Sequence, residues 1–548
     1  RFQNRNNTLA KFIAALLLAA CGGPVSEIDH EIGIPEMPFE VETIEQGAIA
    51  TKPGPYLEGT DANKLTVIEA ENFSRKIAGP TADIWTQQTS LAGASNGKYM
   101  QATPDDGSVR AVNFAAATVI EYDVKIAAPG AHTVLIRTAN CGADSGSVHL
   151  AIDNTVAAAD WAVGSGCAWS WSKRQVNITG KGIHRLRFGM HKDGFILDKV
   201  ILTTNASYAP SGSGPVQTAR MTLNPKFNFG HYIAIVDTRT DAVLSDAASK
   251  AGVKGLQIRY SWRDLEPTLG NYSFGEVLAH LNLLKTQNKK LVIMVTDKSF
   301  NNTTPIPNYL SDYALHYSKI NHDGKLVEGY DVMRWKPYVV TRMGALIRAL
   351  ANEFESHPAF AGIATQETAM SDEDQLAANG YTTTGYRDAI VELITQAKVA
   401  LPNNEMFWYM NYIPEVHKGK VGQLRIAAAA LAPLGVTMGG PDIMPEDNGL
   451  LTRAYPLYKF PNSEGTGGFA GKMNLFCSAQ HASHYHVKSA TGQFYKPLEI
   501  FQFARDQLNV KYVFWNRKAF EKLPGDYQWT DDLPVIATSP QFNLTLAP

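Results

Sequence analysis

Five carboxylates stand where an apolar run gives way to polar residues: Asp297 after Lys290–Thr296, Glu367 after Phe360–Thr365, Glu415 after Met406–Asn411, and Asp442 and Glu446 after Gly435–Gly439. If those runs are parallel strands of one sheet, the acids gather at a single rim. A partly desolvated carboxyl keeps its proton near neutral pH and can hand it to a glycosidic oxygen. A second carboxylate then serves as nucleophile or base. A gap of about 5 Å between the two predicts retention of configuration, and roughly 6.5–9.5 Å predicts inversion. Glu367 is assigned the acid role, with Gln366 beside it to hold a sugar hydroxyl. Asp442 is the favoured partner, because Gly439-Gly440-Pro441 reads as a tight turn that fixes its side chain; Glu446 and Glu415 are the alternatives.

Side chains suited to a pyranose chain occur on the same segments. Trp408, Tyr412 and Trp515 offer aromatic faces, and Asn411, Asn516 and Asp297 offer polar anchors. His481 and His484 crowd one loop, with no cysteine or acid at zinc-ligand spacing, so they read as sugar contacts.

The elements that must position these groups follow from the patterning. Beyond Pro215, eight strand candidates alternate with helical stretches: Phe227–Ile235, Gly255–Tyr260, Lys290–Thr296, Phe360–Thr365, Met406–Asn411, Gly435–Gly439, Met473–Ala479 and Tyr512–Trp515. Eight such repeats predict a (β/α)8 TIM barrel over 217–548. Residues 63–204 show short alternating strands between Gly, Asn and Asp turns, the pattern of a β-sandwich. Residues 205–216 read as a flexible linker and 22–62 as a tether. The chain of 548 residues is multidomain by length, and Lys+Arg 50 against Asp+Glu 52 gives no basic stripe for nucleic acid.

Three resemblances sharpen this. Val67-Ile68-Glu69-Ala70-Glu71-Asn72-Phe73, Asn96-Gly97-Lys98-Tyr99-Met100 and Asp193-Gly194-Phe195-Ile196-Leu197-Asp198 resemble carbohydrate-binding modules of families 6 and 35. That resemblance implies a structural Ca²⁺ held by Glu69, Glu71 and Asp198. Trp161, Trp169 and Trp171, near Asn140 and Asp144, are the aromatic candidates for its sugar site, one of them belonging to the core. Trp262-Arg263-Asp264-Leu265-Glu266-Pro267 with Gly270, Tyr272 and Phe274, and the later Gln366-Glu367, resemble clan A glycoside hydrolases. The resemblance places Trp262 and Glu266 among the substrate-facing residues. It implies a nucleophilic Glu on strand 7, where this chain has Met473–His481 and no carboxylate. Finally Arg1, Arg5, Lys11 and an apolar run of about nine residues precede Leu18-Ala19-Ala20-Cys21, which resembles the lipobox of bacterial lipoproteins. It implies a signal peptide over 1–21, lipidation of Cys21 and an outer-membrane or cell-surface location.

Export permits disulfides, and Cys141 and Cys167 lie close enough in sequence to pair, leaving Cys477 buried and reduced. The expected protein is a monomeric, exported, endo-acting glycoside hydrolase on a polysaccharide. It touches the membrane only through its lipid and needs no catalytic cofactor. A catalytically inactive glycan-binding protein and a polysaccharide lyase are the rival readings.

Overall fold

The computed structural model describes residues 54–142, 146–236, 238–320, 326–370, 375–414, 422–459, 467–480, 486–517 and 542. The signal segment with Cys21, most of the tether, and Asp144, Glu415, His481 and His484 lie outside the described residues. Among the described residues no helix is long and apolar enough to cross a membrane.

The N-terminal part is a β-sandwich. One sheet runs Tyr56–Leu57, Val119–Ile126, Gly182–Met190, Ser147–Ile152, Thr155–Ala162, with Arg75–Ile77 also on Val119–Ile126. A second runs Gly166–Ile178, Gly130–Asn140, Lys199–Thr203, Thr66–Glu69. Strand alternation explains its packing. Ile136, Val200 and Ile68 lie in register and face the core with Trp85, Tyr122, Leu150 and Phe188. Their neighbours Leu135, Ile201 and Val67 form a matching apolar row on the outer face, joined by Trp171 and Tyr208. Cys141 and Cys167 are joined by a disulfide, and Cys477 is free and buried.

That outer row explains the course of residues 205–216, which composition alone reads as flexible. The Gly212 carbonyl accepts from Arg137 Nε and Trp171 Nε1, both at 3.1 Å, and Lys199 Nζ donates to the Pro215 carbonyl at 2.8 Å. At Gly214 (φ 72°) a β-carbon would stand 2.8 Å from the Trp171 ring, so only glycine allows the chain to lie this close. The segment is a cover strapped over apolar surface.

The C-terminal part is a closed barrel of eight parallel strands: β1 Gly230–Ile235, β2 Val253–Ser261, β3 Lys290–Thr296, β4 Phe360–Ala364, β5 Glu405–Tyr409, β6 Thr437–Pro441, β7 Leu475–Ala479 and β8 Tyr512–Asn516. β8 closes on β1, with Trp515 opposite Ile233. At least one helix lies between each consecutive pair of strands. The helix Pro337–Phe354 shows why: a proline opens it, and Val339, Val340, Met343, Leu346, Ile347, Leu350 and Phe354 recur at helical spacing on its buried side. The barrel interior is filled by Tyr232, Val292, Met294, Phe407, Tyr409, Phe476, Tyr512 and Phe514. This aromatic plug fills the interior, and in this architecture active sites lie at the end where the strands terminate.

Sandwich and barrel meet through buried charge. Glu121 is fully buried and accepts from Arg75 (2.6 and 2.8 Å) and Arg187 (2.6 Å). Arg75 also reaches Glu392 of the helix Thr383–Ala400 at 3.2 Å, and Arg185 donates to Gln396 at 2.7 Å. Asn352 pairs with both backbone groups of Ile183, at 2.8 and 3.1 Å. Burial alone would raise the Glu121 pKa, but the guanidinium groups of Arg75, Arg185 and Arg187 outweigh it and hold the acid ionised. Arg75→Ala strands those acids, and the expected loss is about 3–5 kcal/mol in chemical denaturation. A loss under about 1 kcal/mol, the range of exposed ion pairs, would mean the network adds no more than they do.

Candidate active site

Glu367 lies three residues past the end of β4, in an open cavity of about 430 Å³ at the barrel mouth. Asp442, Asn411, Tyr409, Arg259 and Gln480 line the same cavity. The Glu367 carboxylate is held from two sides: Lys298 Nζ lies 3.2 Å from Oε1, and Asn411 Nδ2 donates to Oε2 at 3.3 Å. Lys298 is almost fully buried and also pairs with Asp331 at 3.4 Å and the Ala369 carbonyl at 2.9 Å. Burial opposes its charge, but Glu367 and Asp331 more than compensate and raise its pKa.

Supporting contacts hold that geometry. Gln366 turns back on the chain, its Oε1 accepting from the Asp297 and Lys298 amides at 2.8 and 2.6 Å. Asp297 is bound in bidentate fashion by Arg334 at 2.6 and 2.5 Å, and Arg334 also donates to the Glu367 carbonyl at 2.7 Å. Asn411 is locked by the Ala369 and Tyr412 amides, both donating to its Oδ1 at 2.9 Å. Of the two residues expected to meet substrate, Gln366 lines the cavity while its oxygen ties β4 to the end of β3, and Asp297 is not in the lining and is taken up by Arg334.

Asp442 is in the opposite situation. Its Oδ1 is buried with no hydrogen-bond partner among the described residues. Burial, then the charges of Glu367 and Asp447, push its pKa up to about 7. The sequence pattern suggests a Gly-Gly-Pro turn before it, but Gly439 and Gly440 belong to β6 itself. A β-carbon on Gly439 would lie 2.1 Å from the Phe476 carbonyl, and one on Gly440 2.3 Å from that of Met410. The glycines therefore let β5, β6 and β7 close up, and the bend falls on Asp442, at φ 69°. Aspartate is among the few residues that tolerate this region.

The other expected site residues divide plainly. Glu446 is exposed and bound by Ser489 and Tyr495, which lower its pKa to about 2, so it holds no proton to donate. Trp262 and Glu266 are completely buried; the indole donates to Glu266 at 2.9 Å, and the carboxylate also binds Arg342 and the Gly270 amide. They shape the turn after β2 and do not line the cavity. Trp408 and Trp515 are buried in the helix-facing core, Trp515 donating to His231 at 3.1 Å. Their neighbours Tyr409 and Phe514 face inward. The strand period of two sends the tryptophans outward. Asn516 donates to Gln480 at 3.4 Å and so borders the cavity, while the Tyr412 hydroxyl donates to the Met370 carbonyl at 3.2 Å. Lys298 and Arg259 were not anticipated. Each is a cation in or beside an apolar strand, and that was the available signal.

In the sandwich, Trp161 is the core tryptophan. Trp171 lies under the 205–216 cover, and Trp169 is half-buried, donating to the Ala92 carbonyl at 2.9 Å with Arg137 over its ring at 4.9 Å. The expected calcium ligands are partly engaged. Asp198 accepts from the Ser95 amide and Arg137, both at 2.7 Å, and Glu69 Oε1 meets Lys199 at 3.0 Å. Among the described residues no three acids converge on a metal-sized site. Glu69 Oε2 and Glu71 Oε2 are nevertheless buried without partners, and burial followed by the charges of Glu69 and Asp198 raises the Glu71 pKa. The open oxygens of Glu69 and Glu71 are hard donors of the kind a cation takes, while both oxygens of Asp198 already accept from Ser95 and Arg137.

No family model matches the chain. Uncharacterized protein P23 of Formosa agariphila is 30% identical over 153 residues, spanning 23% of this chain and 37% of that protein. The chain therefore covers little more than a third of the curated relative it matches. Among solved structures, the C-terminal family 6 carbohydrate-binding module of the marine laminarinase LamC from Zobellia galactanivorans is 15% identical over 26% of this chain and 99% of that one, with a TM-score of 0.20. A family 35 carbohydrate-binding module from Clostridium thermocellum is 17% identical over 25% of this chain and 96% of that one, TM-score 0.20. The GH31 alpha-xylosidase from Xanthomonas citri is 10% identical over 77% of this chain and 49% of that one, TM-score 0.36.

The raised pKa of Asp442 carries a stability consequence with a definite sign. A carboxyl whose folded pKa exceeds its unfolded value stabilises the fold below the unfolded pKa; that contribution is lost as pH rises through the folded one. For Asp442 the window runs from the ordinary aspartate value of about 4 to about 7. Asp442→Asn is therefore expected to be more stabilising, relative to wild type, at pH 8 than at pH 4. The difference should be about 1–3 kcal/mol after discounting for partial solvent access, read from denaturation midpoints at the two pH values. An equal effect at both would show that Asp442 does not hold its proton in the fold.

Proposed function

We propose that the chain is a glycoside hydrolase, exported and directed to a polysaccharide by its sandwich. Glu367 acts as the charged carboxylate and Asp442 as the proton donor. One observation carries the reading: two carboxyls share the cavity, one paired with an ammonium and an amide, the other with a buried oxygen that has no hydrogen-bond partner among the described residues and with its pKa pushed up to about 7. Environments that push two acids apart in this way assign their roles. The assignment reverses the expectation from sequence, in which Glu367 was the acid.

As the bond between the anomeric carbon and the glycosidic oxygen breaks, Asp442 gives its proton to the departing oxygen. Glu367 either attacks the anomeric carbon or takes a proton from the water that does. Above about pH 7 Asp442 is increasingly ionised, and the rate should fall with it. Glu367→Gln and Asp442→Asn are each expected to lower reducing-end release from a cleaved glycan by about 10²–10⁴-fold, with no ultraviolet-absorbing unsaturated product. Glycan cleavage at full rate in both variants would sink the assignment, and an unsaturated product would mean a lyase.

The calcium expectation becomes part of the same proposal. Glu69 and Glu71 would hold the ion at the end of the strand Thr66–Glu69. Calcium should raise the melting temperature of the full chain relative to chelator, and Glu71→Gln should abolish that rise. An identical calcium response in the variant would remove Glu71 from the ligand set.

A further inference from the structure

Arg259 is the cation that the proposed chemistry does not use. It lies on β2 two residues beyond Gln257, whose side chain bonds the inward-facing Tyr409 hydroxyl at 3.0 Å, so the strand period turns Arg259 into the barrel as well. There its side chain lines the cavity shared by Glu367 and Asp442. Three buried cations of the barrel are matched: Lys298 with Glu367 and Asp331, Arg334 with Asp297, Arg342 with Glu266. Among the described residues the Arg259 guanidinium has neither a hydrogen bond nor an ion pair. Burial lowers its pKa, and Tyr409 and Glu367 offset this only in part. Across the cavity β7 ends in Ser478, Ala479 and Gln480, which bring no acid to meet it.

An arginine stays charged in any protein environment and presents five donors in a planar fork. The Arg259 guanidinium is only partly buried and opens into the cavity, where its unpaired donors are free to meet a ligand. The ligand that matches a planar fork is an oxyanion with two oxygens on one side.

We propose that Arg259 is a specificity-determining residue that pairs with an anionic substituent of the substrate, a carboxylate or a sulfate ester, making the substrate an acidic polysaccharide. This rests on the glycoside hydrolase reading.

The test uses the full chain and matched soluble oligosaccharides: a uronate-containing set with its carboxyl-reduced form, and a sulfated set with its desulfated form. Wild type, Arg259→Gln and Arg259→Lys are compared by kcat/KM and by calorimetric affinity, after melting curves confirm that the variants fold. In one set, removing the substituent should cost wild type about 30-fold or more, as for truncating one partner of a buried charged pair. Arg259→Gln should lose as much on the charged form and nothing on the neutral one, with Arg259→Lys between. The set that responds identifies carboxylate or sulfate. If neutral forms are cleaved as well as charged ones and Arg259→Gln is indifferent to the substituent, the anion pairing is overturned while the hydrolase stands. If nothing is cleaved the hydrolase falls, and affinity decides the pairing alone: a charged oligosaccharide bound equally by wild type and Arg259→Gln overturns it.

Discussion

The distribution of cations around the barrel mouth governs the rest of the site. Two carboxyls share the open cavity there, and the charge of Glu367 weighs on Asp442. Lys298 and Asn411 compensate Glu367. Nothing comparable reaches Asp442 Oδ1. Its own burial, and after that the charges of Glu367 and Asp447, push the Asp442 pKa up to about 7. Lys298 in turn stays charged because Asp331 shares it, and its amide is fixed by Gln366. The Arg334–Asp297 pair then braces the ends of β3 and β4.

A second buried charge system works at the level of whole domains. Arg75, Arg185 and Arg187 converge on Glu121 and Asp123 in the sandwich, and Arg75 and Arg185 continue to Glu392 and Gln396 in the barrel. Such networks add little net stability over apolar packing, but they accept only one arrangement of partners. The sandwich is thus seated on the barrel in a defined pose, at a fixed offset from the cavity at the barrel mouth.

Much of the architecture was legible in the sequence because strand signals are local. All eight barrel strands fall on the apolar runs that predict them, with ends moved by three residues at most. The disulfide and the core position of one sandwich tryptophan were equally readable. Side-chain direction was less so. Trp408 and Trp515 look like sugar platforms until the parity of their strands is counted, and then they face the helices. Trp262 and Glu266 form a recognisable motif whose role here is to bond each other and Arg342. The identity of the second acid depended on which carboxyl lacks a cation, and that is a property of residues far apart in sequence. Glu446 and Asp442 lie four positions apart, yet their acidities diverge in opposite directions.

The strap formed by residues 205–216 bears on how this chain can be divided. Composition invites a cut between the sandwich and the barrel at its Ser-Gly-Ser-Gly stretch. Such a cut would uncover Val67, Leu135, Ile201 and Trp171 together, an apolar stripe on a sheet face. It would also free the edge of the strand Thr66–Glu69, whose Val67 backbone is now paired with Thr218 on both sides at 2.9 Å. An unpaired edge beside an exposed apolar face is a template for self-association. A sandwich excised with residues up to Arg220 keeps both protections, whereas one ending at Thr204 invites aggregation that would be misread as an inability to fold.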